Sequence, residues 1–239
     1  MSAFLNGLIF LDLDGTIEDS RADMANAAAS IRNQLGLEQR PTESFFPYVI
    51  KGMDFLYRQC FPEALADPSV LEGNYVDENQ ILLELDRIYT LEYSRRINES
   101  TRCYPGMAEC LAQLASDYTL ALYTNKPEGL SKLLLEKLEI ASHFQLVYGG
   151  DTLPESKPSA LPLKTGIQQI ARTLGCDATE VQSRSIMVGD SAGDIVAAKN
   201  ANIRSIWAGY GYYAEQPPGP DAVARQPSEL PGLIAKILD

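Results

Sequence analysis

The sequence predicts an α/β protein built on a doubly wound parallel sheet, with a helical domain inserted after the first strand. Three observations predict it. Short apolar runs of strand length recur along the chain, stretches with helical periodicity separate them, and one long stretch near the N-terminus is helical throughout.

Residues 8–13, LIFLDL, are apolar and bounded by Gly7 and Gly15, the pattern of a strand buried on both faces of a parallel sheet. Residues 120–123, 144–148, 185–188 and 204–207 repeat it. The helical patterns at 128–138, 161–174 and 193–201 supply the crossovers that parallel strands require. Together they make a Rossmann-like core over 1–18 and 100–239.

Residues 19–99 read differently. ADMANAAASIRNQLGL and ENQILLELDRIYTLEYSRRI place apolar residues at helical spacing, without convincing strands. This insertion leaves and rejoins the core beside the carboxyl end of the first strand, where open α/β folds bind ligands, so a helical cap or lid is expected. After Gly209 come a loop rich in Pro and Gly, a short apolar segment and a capped helix from about Ser228.

A chain of 239 residues can hold a core domain and a smaller one. Hydrophobic residues at 45% and charged residues at 22% are those of a soluble globular protein. A formal charge of -12 argues against unaided binding to nucleic acid or an anionic membrane. An anionic substrate must then be captured locally, by a metal ion, a few lysines or helix N-termini. The segment MSAFLNGLIFLDLDG has no basic start and no small-residue cleavage site, so no signal peptide is expected and the cytoplasm is the simplest location. Cys60, Cys103, Cys110 and Cys176 form no CxxC pair and read as reduced thiols. With His143 as the only histidine, HExxH and paired-histidine metal sites are excluded, and no GxSxG elbow is present.

The chemistry lies at strand ends. Asp12-Leu13-Asp14-Gly15-Thr16 closes the first strand, and Gly15 lets the chain turn so that two carboxylates crowd one site. A divalent cation makes such crowding favourable. Gly189-Asp190-Ser191-Ala192-Gly193-Asp194 again follows an apolar strand and opens a helix. Each run has a plainer reading, an Asp-Gly turn and a helix N-cap respectively, but capping does not explain several carboxylates gathered at strand ends. Thr124-Asn125-Lys126-Pro127 follows an apolar strand, and Pro127 suits the first turn of a helix, so main-chain N–H groups and the Thr hydroxyl could grip a phosphate, or a helix simply starts there. Lys157, before Pro158, could neutralise an anion near the carboxylates or be an ordinary solvated lysine.

Four segments in one order, LDLDGTIEDS, LYTNKP, GGDTLPESKP and VGDSAGDIVAAKNA, resemble motifs one to four of the haloacid dehalogenase-like superfamily. YPGM at Tyr104, GGDTLP, and the GYG at Gly209 resemble its phosphoglycolate phosphatase group. The resemblance implies that Asp12 is a nucleophile forming an aspartyl-phosphate and Asp14 a general acid and base. It implies that Thr124 holds the phosphoryl group, with Asn125 and Lys126 beside it, and that Lys157 orients Asp12. Magnesium is the implied cofactor, bound by Asp12, by the main-chain carbonyl of Asp14 and by Asp190, with Asp194 a ligand or a partner of the ligands. No organic cofactor is implied. Dehalogenases that resemble this fold lack an acid at the position of Asp14, which counts against dehalogenation. Glu18, and KPSALPL after Ser156, depart from the phosphoglycolate phosphatase pattern without touching these positions. In the cap, Lys51 and Gly52 are the leading candidates for substrate specificity, with Arg58, Arg95 and Arg96 behind them.

The expected activity is hydrolysis of a small phosphomonoester, with 2-phosphoglycolate first. Pyrophosphatase, sugar-phosphatase, nucleotidase and β-phosphoglucomutase-like mutase activities stay open, as does a noncatalytic metabolite-binding or partner-binding role. The expected partner is a small phosphorylated metabolite, not nucleic acid or membrane, and the expected state is a monomer or homodimer.

Overall fold

A computed structural model describes residues 6–239. Residues 1–5, the start of the segment read as no signal peptide, lie outside the described residues. The chain forms β1 (Leu8–Leu11) and β2 (Glu18–Asp19), then the helices α1 (Arg21–Gln34), α2 (Phe46–Val49), α3 (Met53–Cys60), α4 (Pro62–Ala66) and α5 (Glu78–Arg96). There follow β3 (Arg102–Cys103), α6 (Met107–Asp117), β4 (Thr119–Tyr123), α7 (Glu128–Lys137), β5 (Phe144–Tyr148), α8 (Leu161–Leu174) and α9 (Ala178–Ser183). The chain ends with β6 (Ser185–Gly189), α10 (Ala192–Ala201), β7 (Arg204–Ala208), β8 (Ala222–Ala224) and α11 (Leu230–Leu238). It divides into two compact units, residues 1–19 with 103–239, and residues 20–102.

The first unit is built on a six-stranded sheet in the order β5-β4-β1-β6-β7-β8. Every pairing is parallel, which bears out the doubly wound α/β fold. β1, β4 and β6 are buried along their whole length, as near-continuous apolar runs must be when helices cover both faces. Leu8, Phe10, Ala121, Tyr123 and Met187 pack on one face against Leu163, Ile167 and Ile170 of α8 and Ala197, Ala198 and Ala201 of α10. The alternate residues, among them Ile9, Leu11, Leu120 and Leu122, project to the other side and are equally buried. From β1 the chain builds outward through β4 to β5, then returns to build β6, β7 and β8 on the opposite side. The reversal puts a topological switch point at the carboxyl end of β1.

Three local expectations change. The first strand stops at Leu11, not residue 13. The Asp12 N–H still donates to Val188 O at 2.9 Å, but Leu13 O then accepts the N–H groups of Thr16, Ile17 and Glu18, closing a turn that Gly15 permits at φ 80°. The short apolar segment after the proline-rich loop, to which the sequence pattern assigns no element, is the edge strand β8, paired with β7 from Ile206↔Ala222 to Ala208↔Ala224. Pro127 caps α7 from outside and does not occupy its first turn.

In the second unit, α1 packs along α5. Tyr57, Tyr89 and Tyr93 form an aromatic row with centroid spacings of 5.7 and 6.0 Å, and the Tyr89 hydroxyl donates to Met24 O at 3.0 Å. Asp23, buried in the first turn of α1, accepts the N–H groups of Ser100 and Thr101 and the Thr101 hydroxyl, so the two ends of the insertion are tied together within it. Arg32 is wholly buried and donates to Glu38 O, Cys60 O and both oxygens of Glu63.

Candidate active site

Three strands deliver their last residues to one place. Asp12 follows β1, Thr124 follows β4 and Asp190 follows β6, and parallel register aligns those ends. The Thr124 N–H donates to Tyr148 O at 3.0 Å, extending the ladder one residue past β4. Carboxylate oxygens of Asp12, Asp190 and Asp194 lie within 4.8 Å of one another, and all three residues are buried.

Lys157 stands inside this acidic cluster. Its Nζ is 2.6 Å from Asp12 Oδ1 and 2.7 Å from Asp194 Oδ1, and it lies 5.6 Å from the centre of the Tyr123 ring. The loop that carries it is clasped by Asn125, whose Oδ1 accepts the Lys157 N–H at 3.0 Å. Asn125 thus ties the loop after β4 to the loop before α8. Asp194 is held from both ends, since its Oδ2 accepts the Ser191 N–H at 3.0 Å and the Ser191 hydroxyl at 2.7 Å, a capping box that opens α10. Capping and charge pairing therefore coexist at this residue.

Asp14 lies beyond the strand end, and Lys126 Nζ meets its Oδ1 at 2.6 Å. Thr124 is buried, and its oxygen accepts the Lys126 N–H at 3.2 Å. Its hydroxyl proton has no acceptor among the described residues. Asp12 Oδ1 also accepts the Leu13 N–H at 2.8 Å, and Asp190 Oδ2 accepts the Tyr212 N–H at 2.7 Å. Among the described residues, Asp12 Oδ2 and Asp190 Oδ1 receive no hydrogen bond. Buried carboxylates with an open oxygen are incomplete as a structural arrangement.

The electrostatics agree. Burial first, then the neighbouring Asp194 and Asp14 carboxylates, push Asp12 up to about 7 against the pull of Lys157. Burial, Asp12 and Asp194 push Asp190 up to about 8. Burial opposes the Lys157 ammonium, yet Asp12 and Asp194 outweigh it and hold the group well above the ordinary lysine value. Four carboxylates, Asp12, Asp14, Asp190 and Asp194, thus face two ammonium groups, Lys126 and Lys157. The formal excess equals the charge of one divalent cation. A donor set of carboxylate oxygens suits a hard ion such as magnesium, so the residues fit the cofactor that the motifs imply.

Of the residues singled out from sequence, Asp12, Asp14, Thr124, Asn125, Lys126, Lys157, Asp190 and Asp194 all belong to this cluster or its supporting loops. Lys51 and Gly52 belong to the second unit. Lys51 is exposed with its Nζ 5.2 Å from the Phe55 ring centre, and Gly52, at φ 92°, precedes α3. Arg58 pairs with Asp54 and Glu78, and Arg95 and Arg96 pair with Glu92. Sequence reasoning missed the contribution of Gly211 and Tyr212 to Asp190. The only signal was the GYG run that follows the β7 sequence.

Residues 8–208 match the family described as haloacid dehalogenase-like hydrolase. Over 230 residues the chain is 36% identical to a phosphoglycolate phosphatase of Chromobacterium violaceum, covering 95% of each protein. It is also 36% identical over 208 residues to a phosphoglycolate phosphatase of Neisseria meningitidis, covering 85% of this chain and 80% of that protein. A crystal structure of a predicted phosphoglycolate phosphatase from Haemophilus somnus matches with a TM-score of 0.76 and 26% identity, covering 98% of this chain and 99% of that one. CbbY from Rhodobacter sphaeroides, in complex with phosphate, shares the fold with a TM-score of 0.69 at 19% identity, covering 95% of this chain and 96% of that one.

Proposed function

Because the chain belongs to the haloacid dehalogenase-like hydrolase family, we propose that it is a magnesium-dependent phosphatase that hydrolyses 2-phosphoglycolate to glycolate and phosphate through an aspartyl-phosphate at Asp12. The observation that carries this reading is the Asp12 carboxylate. It is buried, its Oδ1 is held by Lys157 and the Leu13 N–H, and its Oδ2 is left open. A carboxylate fixed by one oxygen presents the other as a nucleophile. The choice of 2-phosphoglycolate rests on the relatives named for it.

Asp12 Oδ2 attacks phosphorus, the bond from phosphorus to the glycolate oxygen breaks, and the departing oxygen takes a proton from Asp14. Asp14, now ionised, takes a proton from water as that water attacks phosphorus. The Asp12–phosphorus bond breaks, and the carboxylate is restored. Lys157 and the Thr124 hydroxyl balance and hold the phosphoryl oxygens through both displacements. Lys126 Nζ, 2.6 Å from Asp14 Oδ1, stands where it can also meet a phosphoryl oxygen. Asp12, Asp190 and the Asp14 carbonyl, with Asp194 as a ligand or a partner of the ligands, would hold magnesium, which would supply charge neutralisation.

Lys51 and Gly52 are the proposed determinants of substrate choice, and the four free thiols suit a reducing cytoplasm. The test is magnesium-dependent phosphate release from 2-phosphoglycolate, sugar phosphates, nucleotides and pyrophosphate, with Asp12→Asn alongside. Preference for 2-phosphoglycolate, lost in the variant, is expected. A different best substrate replaces the substrate and keeps the chemistry; no release from any member sinks both.

A further inference from the structure

The end of β7 and the segment that follows it touch both Asp190 and the turn after Asp12 and Asp14. The indole N–H of Trp207 donates to the main-chain O of Asp190 at 2.8 Å, and the Tyr212 N–H donates to Asp190 Oδ2 at 2.7 Å. The Tyr210 hydroxyl donates to Thr16 O at 3.0 Å, at the turn that follows Asp12 and Asp14. Its ring packs edge-on against Tyr104 with centroids 5.2 Å apart, and the Tyr104 N–H donates to Ile17 O at 3.0 Å.

Asp190 lies between two glycines. A Cβ on Gly211 would come within 2.2 Å of Gly15 O and 2.4 Å of Asp190 Cβ, and a Cβ on Gly15 would come within 2.2 Å of Asp190 Oδ2. No side chain fits in either gap. The β1–β6 ladder sets the two strand ends side by side, and beyond it the Asp12–Thr16 turn is closed onto Asp190 by contacts through residues 207–212.

We propose that Trp207–Tyr212 is a strap that fixes the separation between the Asp12–Thr16 turn and Asp190, making Trp207, Tyr210 and Gly211 positioning residues for the magnesium-holding site. The proposal rests on the phosphatase reading above. Lys157 bridges Asp12 and Asp194 but makes no ion pair with Asp190 among the described residues, so a site that accepts the ion at low cost needs neutral contacts that hold Asp190 and the turn in place beforehand. Tyr210 braces one side, Trp207 and the Tyr212 N–H brace the other, and Gly211 lets the two sides close.

Calorimetric titration of the intact chain with Mg2+ alone tests this, using the wild type, Tyr210→Phe, Trp207→Phe and Gly211→Ala. Tyr210→Phe removes one hydroxyl and no volume of consequence, so it keeps the question open if Gly211→Ala fails to fold. The expected result is Mg2+ affinity about tenfold weaker in Tyr210→Phe and Trp207→Phe. The melting temperature of metal-free Tyr210→Phe should stay close to that of the wild type. Wild-type Mg2+ affinity in both Phe variants overturns the strap and leaves the phosphatase reading intact. A wild type that takes no Mg2+ overturns the metal-dependent reading, and the strap with it.

Discussion

Each unit of this protein holds a pairing of carboxylate and cation, and the two pairings are built in opposite ways. In the inserted unit, Arg32 fits its guanidinium to both oxygens of Glu63 and spends its other donors on Glu38 O and Cys60 O. The Arg32 hydrogen bonds hold Glu63 down at about 2. In the sheet unit, Lys157 is shared between Asp12 and Asp194, Asp190 has no ammonium of its own, and burial with mutual repulsion lifts Asp12 and Asp190 to about 7 and about 8. A completed pair stabilises the fold. A cluster of buried carboxylates with open oxygens is the arrangement on which the proposed cation binding and attack on phosphorus rest.

The largest expected effect breaks the incomplete cluster. Asp12→Asn keeps its shape and removes the proposed nucleophile, so turnover should fall on the order of ten-thousand-fold in single-turnover assays, with far-UV circular dichroism unchanged. Retained hydrolysis would move the nucleophile elsewhere. Breaking the completed pair should do the reverse. Arg32→Ala leaves buried carbonyls without donors and should cost about 3 kcal/mol in urea unfolding, with kcat preserved well below the melting temperature.

The comparison sharpens with pH. Asp12 and Asp190 have folded-state values raised above those of the unfolded chain, so their protonation favours the fold at low pH. That contribution is complete below about pH 4 and is lost as pH rises through about 7 and 8. Metal-free protein should therefore lose stability as pH rises from about 4 to about 8. Saturating Mg2+ should raise the melting temperature by about 5–10 °C at the upper end and by less at the lower. A gain independent of pH would mean that these carboxylates do not hold the ion. The smallest effect belongs to the exposed Lys51, where Lys51→Ala should raise KM about fivefold with kcat and melting temperature unchanged. An unchanged KM would remove it from substrate choice.

Much of the site was legible because of where parallel strands end. Asp12, Thr124 and Asp190 each follow an apolar run buried on both faces, and a run of that kind announces its own carboxyl end. α6 was just as legible, with Met107, Cys110, Leu111 and Leu114 at helical spacing, yet it went unread beside the stronger signals of its neighbours. β8 was harder, because three residues behind a proline-rich loop become a strand only by pairing with β7.

By itself the sequence determined which residues carry charge at the strand ends, and hence a doubly wound sheet with an acidic site at the carboxyl edge. It could do so because strand burial and helix periodicity are local properties of a dozen residues or so. Only the tertiary structure decided the partners. Lys157 bridges Asp12 and Asp194, Lys126 takes Asp14, and Gly211 brings Tyr212 to Asp190. Those pairings join residues far apart in the chain, and which lysine reaches which carboxylate depends on strand order, loop path and the absence of a single Cβ, none of which is written in local pattern.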